Sequence, residues 1–330
     1  MAGIHHVTAI SGNPSANLEF YTRTLGLRFV KKTVNFDDPG TYHLYYGDEQ
    51  GHPGTILTFF PWEHAAEGRN GVGLTEQTAF QVPAASIGYW THRLIERGVP
   101  HEAIEKPFGE PMLSFTDPHG LKLALVGVAG PALEPAWSNG DISAEHAIRG
   151  FHSISLMLEN AEPTGAILVD IFGFKQTGRE GSLVRYEADG ALGNIVIIRE
   201  AGGFLPGRMG QGSVHHIVFR AADDAQQTQM AEKVREAHHI GTTPQIDRQY
   251  FRSVYFREPG GILFEIATNQ PRVLPLTNRS PRSAANSNCR PSWNRAAARS
   301  RPCFRHWDRS RGRRDGWIIL HPSLRARRQA

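Results

Sequence analysis

Two histidine pairs and one glutamate carry the chemistry this sequence offers. The pairs are His5-His6 and His215-His216, each inside a short apolar run, and the glutamate is Glu265. The chain holds 16 His, and most have bland readings: His52, His64, His92, His101, His119, His238 and His239 fall in turns or on helix surfaces. His6 and His216 differ because each holds the same place in the opening strand of a repeated unit. Strand side chains alternate between faces. That parity groups His215, Ile217 and Phe219 on one face and His216, Val218 and Arg220 on the other. It likewise groups His5, Val7 and Ala9 against His6, Thr8 and Ile10. Glu265 lies between Phe264 and Ile266, which share the apolar face, so Glu265 points the other way. A carboxylate in such a run is costly to bury unless something compensates its charge, and a metal ion would do so. Two imidazoles and one carboxylate match the facial set that holds non-haem Fe(II) with positions left open, and the set alone does not exclude Mn(II) or Zn(II). The competing reading makes the His pairs strand hydrogen-bonders and pairs Glu265 with an arginine such as Arg257.

The elements that position these residues read as one βαβββ pattern written four times. Unit one has a strand at Ile4–Ile10, a helix at about Ser15–Leu25 and strands at Leu27–Asn35, Tyr42–Tyr46 and Thr55–Phe60. Unit two has a strand near Thr78–Val82, a helix at Ala85–Arg97 and strands near Glu102–Lys106, Pro111–Thr116 and Leu121–Val126. Unit three opens at Phe151–Leu158, with a helix at about Pro163–Phe172. Unit four opens at Val214–Arg220, with a helix at Asp223–Ala237 and strands near Gln245–Tyr250, Ser253–Arg257 and Ile262–Thr268. Gly, Pro and Asp mark the joints. The run from Phe115 aligns with that from Phe256, pairing Pro118 with Pro259, Gly120 with Gly261 and Ala124 with Glu265. At the place of His6 and His216, unit two carries about Thr78 and unit three Ser153. At the place of Glu265 stand Ala124, about Thr58 and about Ile197. The repeat therefore offers three candidate ligands, from units one and four, and none from units two and three. The expected fold is α+β: four modules in two tandem domains, 1–130 and 150–270, joined by a Pro-, Ser- and Asn-bearing linker at 131–149.

Composition narrows the function classes. The last 60 residues, 271–330, hold 15 Arg, no Lys and two Asp, a net of +13, so the overall +4 leaves residues 1–270 at −9. Cys289 and Cys303, the two cysteines of the chain, both lie in that last part, which excludes a thiolate metal site or a Cys nucleophile in the body. No apolar run reaches the ~18 residues of a membrane span, and Met1 leads almost directly into a strand without a secretory pattern. The expectation is a cytoplasmic protein with no membrane and no nucleic-acid partner, since the Arg-rich tail lacks any recognised binding motif. A homo-oligomer is left open.

Several motifs together resemble one family. Gly3-Ile4-His5-His6-Val7-Thr8, the Phe20–Asn35 run, Tyr42–Glu49, Ala144–Ile148, Gly212–Ile217 and Tyr250–Glu265 are similar to the ring-cleaving, hydroquinone-type dioxygenases of the vicinal oxygen chelate superfamily, which also includes glyoxalases. The resemblance covers all of 1–270. It implies Fe(II) held by His6, His216 and Glu265, units one and four paired around the metal, and a small aromatic substrate consumed with O2. It also implies that Tyr255 and Arg248 contact the bound phenol. His215 and His5 neighbour the ligands in sequence, but parity turns them away. The function so implied is Fe(II)-dependent cleavage of hydroquinone- or catechol-type rings with insertion of both oxygen atoms. The alternative is a glyoxalase-like metal-dependent lyase or isomerase, which would recruit a second carboxylate where unit one has Thr58.

The resemblance stops near Pro271. One coding of Cys289–Ala297, read in the neighbouring frame, spells Leu-Pro-Pro-Gln-Leu-Glu-Pro-Arg-Arg, a segment that family members carry. The tail is therefore expected to be an out-of-frame, disordered segment, in keeping with its charge and composition.

Overall fold

The computed structural model describes residues 3–35, 37–129, 136–249 and 251–269. The expectations for the tail and for both cysteines lie outside the described residues.

The first module runs β1 (Ile4–Ser11), α1 (Pro14–Glu19, continued by a wider turn at Phe20–Thr24), β2 (Arg28–Val34), β3 (Tyr42–Gly47) and β4 (Ile56–Pro61). Asn13 starts α1: its side chain accepts from the Ser15 and Ala16 amides, and Pro14 occupies the first helical turn, where a missing N–H costs nothing. The second module is β5 (Leu74–Pro83), α2 (Ile87–Glu96), β6 (Met112–Thr116) and β7 (Lys122–Val128). The strand expected near Glu102–Lys106 reduces to the isolated bridges His101↔Phe115 and Glu105↔Met112. The third module is β8 (Gly150–Leu158), α3 (Glu162–Asp170), β9 (Lys175–Glu180), β10 (Leu183–Glu187) and β11 (Ile195–Glu200). The fourth is β12 (Val214–Ala221), α4 (Asp224–Glu236), β13 (Ile246–Asp247), β14 (Arg252–Arg257) and β15 (Leu263–Thr268). Asp223 caps α4 by accepting from the Gln226 amide.

Two sheets result. One has the order β13-β14-β15-β12-β1-β4-β3-β2, and the other β6-β7-β5-β8-β11-β10-β9. Modules one and four thus share a sheet through the antiparallel β1–β12 pair, and modules two and three share the other through β5–β8. Each sheet takes strands from both sides of 131–149. The described part of that segment packs on α2: Trp90 Nε1 donates to the His146 carbonyl at 2.8 Å, and Arg93 meets Asp141 at 2.7 Å. The sheets are stitched by matching loop contacts, Ile4 N–H to Gly193 O at 2.7 Å and Phe151 N–H to Gly54 O at 2.8 Å. Gly150 has φ +144, and a Cβ there would sit 2.8 Å from Gly54 O, so this junction requires glycine.

The helices cover one face of each sheet. Met230 and Val234 of α4 join Ile217, Phe219, Phe264 and Ile266 in the core. Phe219 and Phe264 are fully buried, with ring centroids 5.0 Å apart. Burying each such aromatic contributes about 1.5–3 kcal/mol. The buried Gln227 of α4 donates to the carbonyls of Arg252 and Ile266 and fixes the helix against β14 and β15. With that face committed to the core, the alternate residues of β1, β12 and β15 are left to line the other.

Candidate metal centre

The strand register brings His6, His216 and Glu265 together on the face away from the helices. Val218 of β12 pairs with both His6 of β1 and Glu265 of β15, and Thr8 pairs with His216. Paired residues share a face, so these side chains converge although Glu265 is 259 positions beyond His6 in the chain. One donor atom from each of the three lies within 4.8 Å of the others, and all three residues are buried. Glu265 is 1% exposed, and its Oε1 accepts from Ser253 Oγ. His216 Nε2 lies 3.2 Å from Oε2, off the line of a hydrogen bond, so Oε2 is a buried carboxylate oxygen with no hydrogen bond.

The electrostatics suit a cation. Burial acts to raise the Glu265 carboxyl, but His216, His6 and the Ser253 hydroxyl outweigh it and bring the pKa down to about 2. Burial lowers His6 to about 4, only partly countered by Glu265 and reinforced by His216. The cluster at neutral pH is therefore a carboxylate beside a neutral His6 imidazole, which is the protonation state a metal takes.

The first histidine of each pair departs from strand parity. Along β1 the pairing steps from Ile4↔Phe219 to His6↔Val218, and along β12 from Thr8↔His216 to Ala9↔Val214. His5 and His215 are thus the extra residues of two β-bulges, and a bulge re-aims its side chain. His5 Nδ1 lies 3.0 Å from His6 Nδ1, and His215 Nδ1 lies 2.7 Å from His216 Nδ1. The expectation that His5 and His215 turn away is corrected: each buttresses the ring beside it and leaves that ring's Nε2 for the site. Burial, with the neighbouring His216 next, lowers His215 to about 3, and burial lowers His5 as well. Both are therefore neutral, and a neutral ring can accept from the Nδ1–H of the histidine beside it, the kind of bond that fixes the tautomer of a metal-ligating histidine. A second correction concerns the internal control. The register sets Gln77, not Thr78, at the place of His6, because Glu76 is the bulged residue of β5 and His152 that of β8.

Tyr255 and Arg248 also reach this site. Tyr255 pairs with Glu265, and its ring centroid is 5.9 Å from that of His216. The Arg248 guanidinium lies 5.4 Å from the Tyr255 ring and pairs with Asp37 at 3.1 Å. Burial and the Glu265 charge push the Tyr255 phenol well up, against the opposing pull of Arg248. Apolar walls come from Phe251, 5.4 Å from His6, and Phe60, 5.5 Å from His215. Sequence reasoning missed Ser253, Thr8, Phe251 and His43. His43 Nε2 bonds Thr58 Oγ1 at 2.8 Å, and Thr58 Oγ1 donates to Thr8 Oγ1 at 2.9 Å. Strand parity within Tyr42–Tyr46 and the alignment of modules one and four carried a usable signal for His43. At the fourth position of the repeat, where a lyase of glyoxalase type would place a carboxylate, the register sets Thr58 opposite Thr8.

Comparison with known proteins agrees with this architecture. Residues 3–125 match the Glyoxalase/Bleomycin resistance protein/Dioxygenase superfamily. The chain is 46% identical over 276 residues to MhqO of Bacillus subtilis, named as a ring-cleaving dioxygenase, covering 82% of this chain and 85% of MhqO. It is 32% identical over 269 residues to the chlorohydroquinone/hydroquinone 1,2-dioxygenase of Sphingobium indicum, covering 80% and 84%. A crystal structure of a Bacillus subtilis dioxygenase superposes with a TM-score of 0.77 at 46% identity, over 82% of this chain and 86% of that one. The residues present fit the metal that such a family implies: a buried, unbonded carboxylate oxygen faces two imidazoles whose outer nitrogens are already engaged. The chain belongs to the ring-cleaving dioxygenases of the glyoxalase/bleomycin resistance protein/dioxygenase superfamily.

Proposed function

We propose that the protein is an Fe(II)-dependent dioxygenase that cleaves hydroquinone- or catechol-type rings and inserts both atoms of O2. His6, His216 and Glu265 are the proposed ligands, and the same donor set also accommodates Mn(II) or Zn(II). The observation that carries the reading is the convergence of these three buried side chains, with Glu265 Oε2 lacking a hydrogen bond. Thr58 at the fourth position favours it over a glyoxalase-type lyase. Bound iron would supply a Lewis-acidic, redox-active centre where a deprotonated ring oxygen and O2 meet.

The protein's own residues set up that meeting. The His5 and His215 rings hold His6 and His216 in one tautomer. Ser253 holds one oxygen of Glu265 and directs the other inward. Tyr255 keeps its proton, because burial and the nearby carboxylate disfavour its phenolate. It is therefore a hydrogen-bond donor to the substrate's ring oxygen, and Arg248 behind it supplies positive charge as negative charge builds there. Phe251 beside His6, and Phe60 stacked on Trp62 beside His215, give apolar walls that fit a flat ring and limit water. The two tandem halves, 1–130 and 150–270, are the proposed domains, joined by 131–149. Metal analysis combined with oxygen uptake on methylhydroquinone and catechol tests this function. One iron per chain and substrate-dependent uptake are expected; ring turnover without oxygen consumption would contradict it.

A further inference from the structure

The sheet that holds the triad has an unexplained internal symmetry. Glu265 of β15 pairs with Tyr255 of β14, and Thr58 of β4 pairs with Tyr45 of β3. The repeat matches Thr58 to Glu265, so Tyr45 stands in module one where Tyr255 stands in module four. His43, two residues before Tyr45, takes the place of Ser253. The contacts repeat as well: Ser253 Oγ bonds Glu265, and His43 Nε2 bonds Thr58 Oγ1. Each tyrosine has a cation by its ring, although the two cations differ in register. Arg248 lies 5.4 Å from the Tyr255 ring, and Lys31 Nζ lies 5.9 Å from the Tyr45 ring. Tyr255 borders the triad on one side of the face; Tyr45 lies on the other side, beyond β1 and β4.

We propose that Tyr45, oriented by His43 and with Lys31 alongside, binds the distal hydroxyl of a para-diphenol whose other oxygen lies at the triad beside Tyr255, and that this far pole selects hydroquinones over catechols. The inference rests on the dioxygenase reading above. The hydrogen bonds give the far pole a direction. Thr58 donates to Thr8, so its oxygen accepts from His43 Nε2–H, and His43 Nδ1 is then the acceptor for the Tyr45 hydroxyl at 2.8 Å. A tyrosine oxygen that donates its proton in this way retains acceptor capacity, which suits the O–H of an incoming hydroxyl. The near pole is the reverse, with Tyr255 donating and Arg248 positive. His43 and Tyr45 are half-buried, and His43 lies 4.6 Å from Phe60, the same ring that flanks His215. The far pole and the triad therefore share a wall. A para-diphenol carries its oxygens at opposite ends of the ring and meets both poles, whereas a catechol carries them side by side at one end and leaves the far pole unused.

Anaerobic calorimetric titration of the iron-loaded protein with methylhydroquinone, catechol and phenol tests this, alongside KM and kcat from oxygen uptake. Tyr45→Phe removes only the hydroxyl, and His43→Gln serves as the second variant. The expected result is methylhydroquinone binding weakened about five- to tenfold in Tyr45→Phe, with phenol and catechol unchanged and with KM raised more than kcat is lowered. Equal losses for all three compounds, or no loss for methylhydroquinone in either variant, would overturn the far pole. Wild-type protein that consumes oxygen with no diphenol would instead overturn the dioxygenase reading itself.

Discussion

The two sheets are built alike and equipped differently. In the sheet of modules one and four, the bulged residues His5 and His215 flank His6 and His216. In the sheet of modules two and three, the bulged residues are Glu76 and His152, and they flank Gln77 and Ser153. Where one sheet has Glu265, the other has Ile197, each paired with the corresponding residue of the neighbouring strand. The second sheet spends its polar groups on itself. Arg185 bridges Glu110 at 2.8 Å and Glu187 at 2.7 Å, Gln77 bonds Ser114 at 3.0 Å, and His152 turns to Ser153 at 3.0 Å. The scaffold and its bulges are therefore common property, and three side chains separate a metal centre from an ion-paired interior.

That comparison can be broken or sharpened in order of effect. Glu265→Ala removes the only carboxylate of the triad and should reduce bound iron and oxygen uptake to background; metal analysis and an oxygen electrode read both. His215→Ala removes a buttress rather than a ligand, so iron affinity should fall about 10–100-fold while the fold survives, as competitive chelation would show. The metal-free protein should lose stability as pH falls. His6, at about 4, and His215, at about 3, are neutral when folded and protonate near 6.5 when unfolded. The unfolded chain then binds more protons over the window from about pH 6.5 down to 4, so stability rises with pH there. A drop in apo-protein Tm of roughly 5–10 °C between pH 7 and pH 5 is expected, and a flat profile would contradict the neutral-histidine site. Ser153→Ala, at the matching place in the other sheet, should leave iron content and oxygen uptake unchanged; a loss would mean that the second sheet is not inert.

Much of this was legible before folding. The apolar neighbours Phe264 and Ile266 fix the face of Glu265, and Ile217 and Phe219 fix that of His216, because period-two alternation is a local property. The repeat made units two and three an internal control. What could not be read was the register between β1 and β12, whose residues lie some 200 positions apart. The bulges at His5 and His215 are a property of that pairing and not of either strand alone, so parity turned both histidines the wrong way. The pairing of β5 with β8, about 70–80 positions apart in the chain, likewise hid Glu76 as a bulge and displaced the match for His6 by one residue, from Gln77 to Thr78. His43 was missed for another reason: its partners, Thr58 and Tyr45, are neutral hydroxyls that mark no charge or metal pattern, although parity and the alignment of modules one and four place it on the site face. Among the described residues no helix is long and apolar enough to cross a membrane.

The most direct test of the central claim is anaerobic reconstitution of wild-type and His216→Ala protein with Fe(II), followed by oxygen uptake on methylhydroquinone. The account predicts one iron per wild-type chain with one O2 consumed per ring opened, and neither iron nor uptake in the variant. Full uptake by iron-loaded His216→Ala would contradict it.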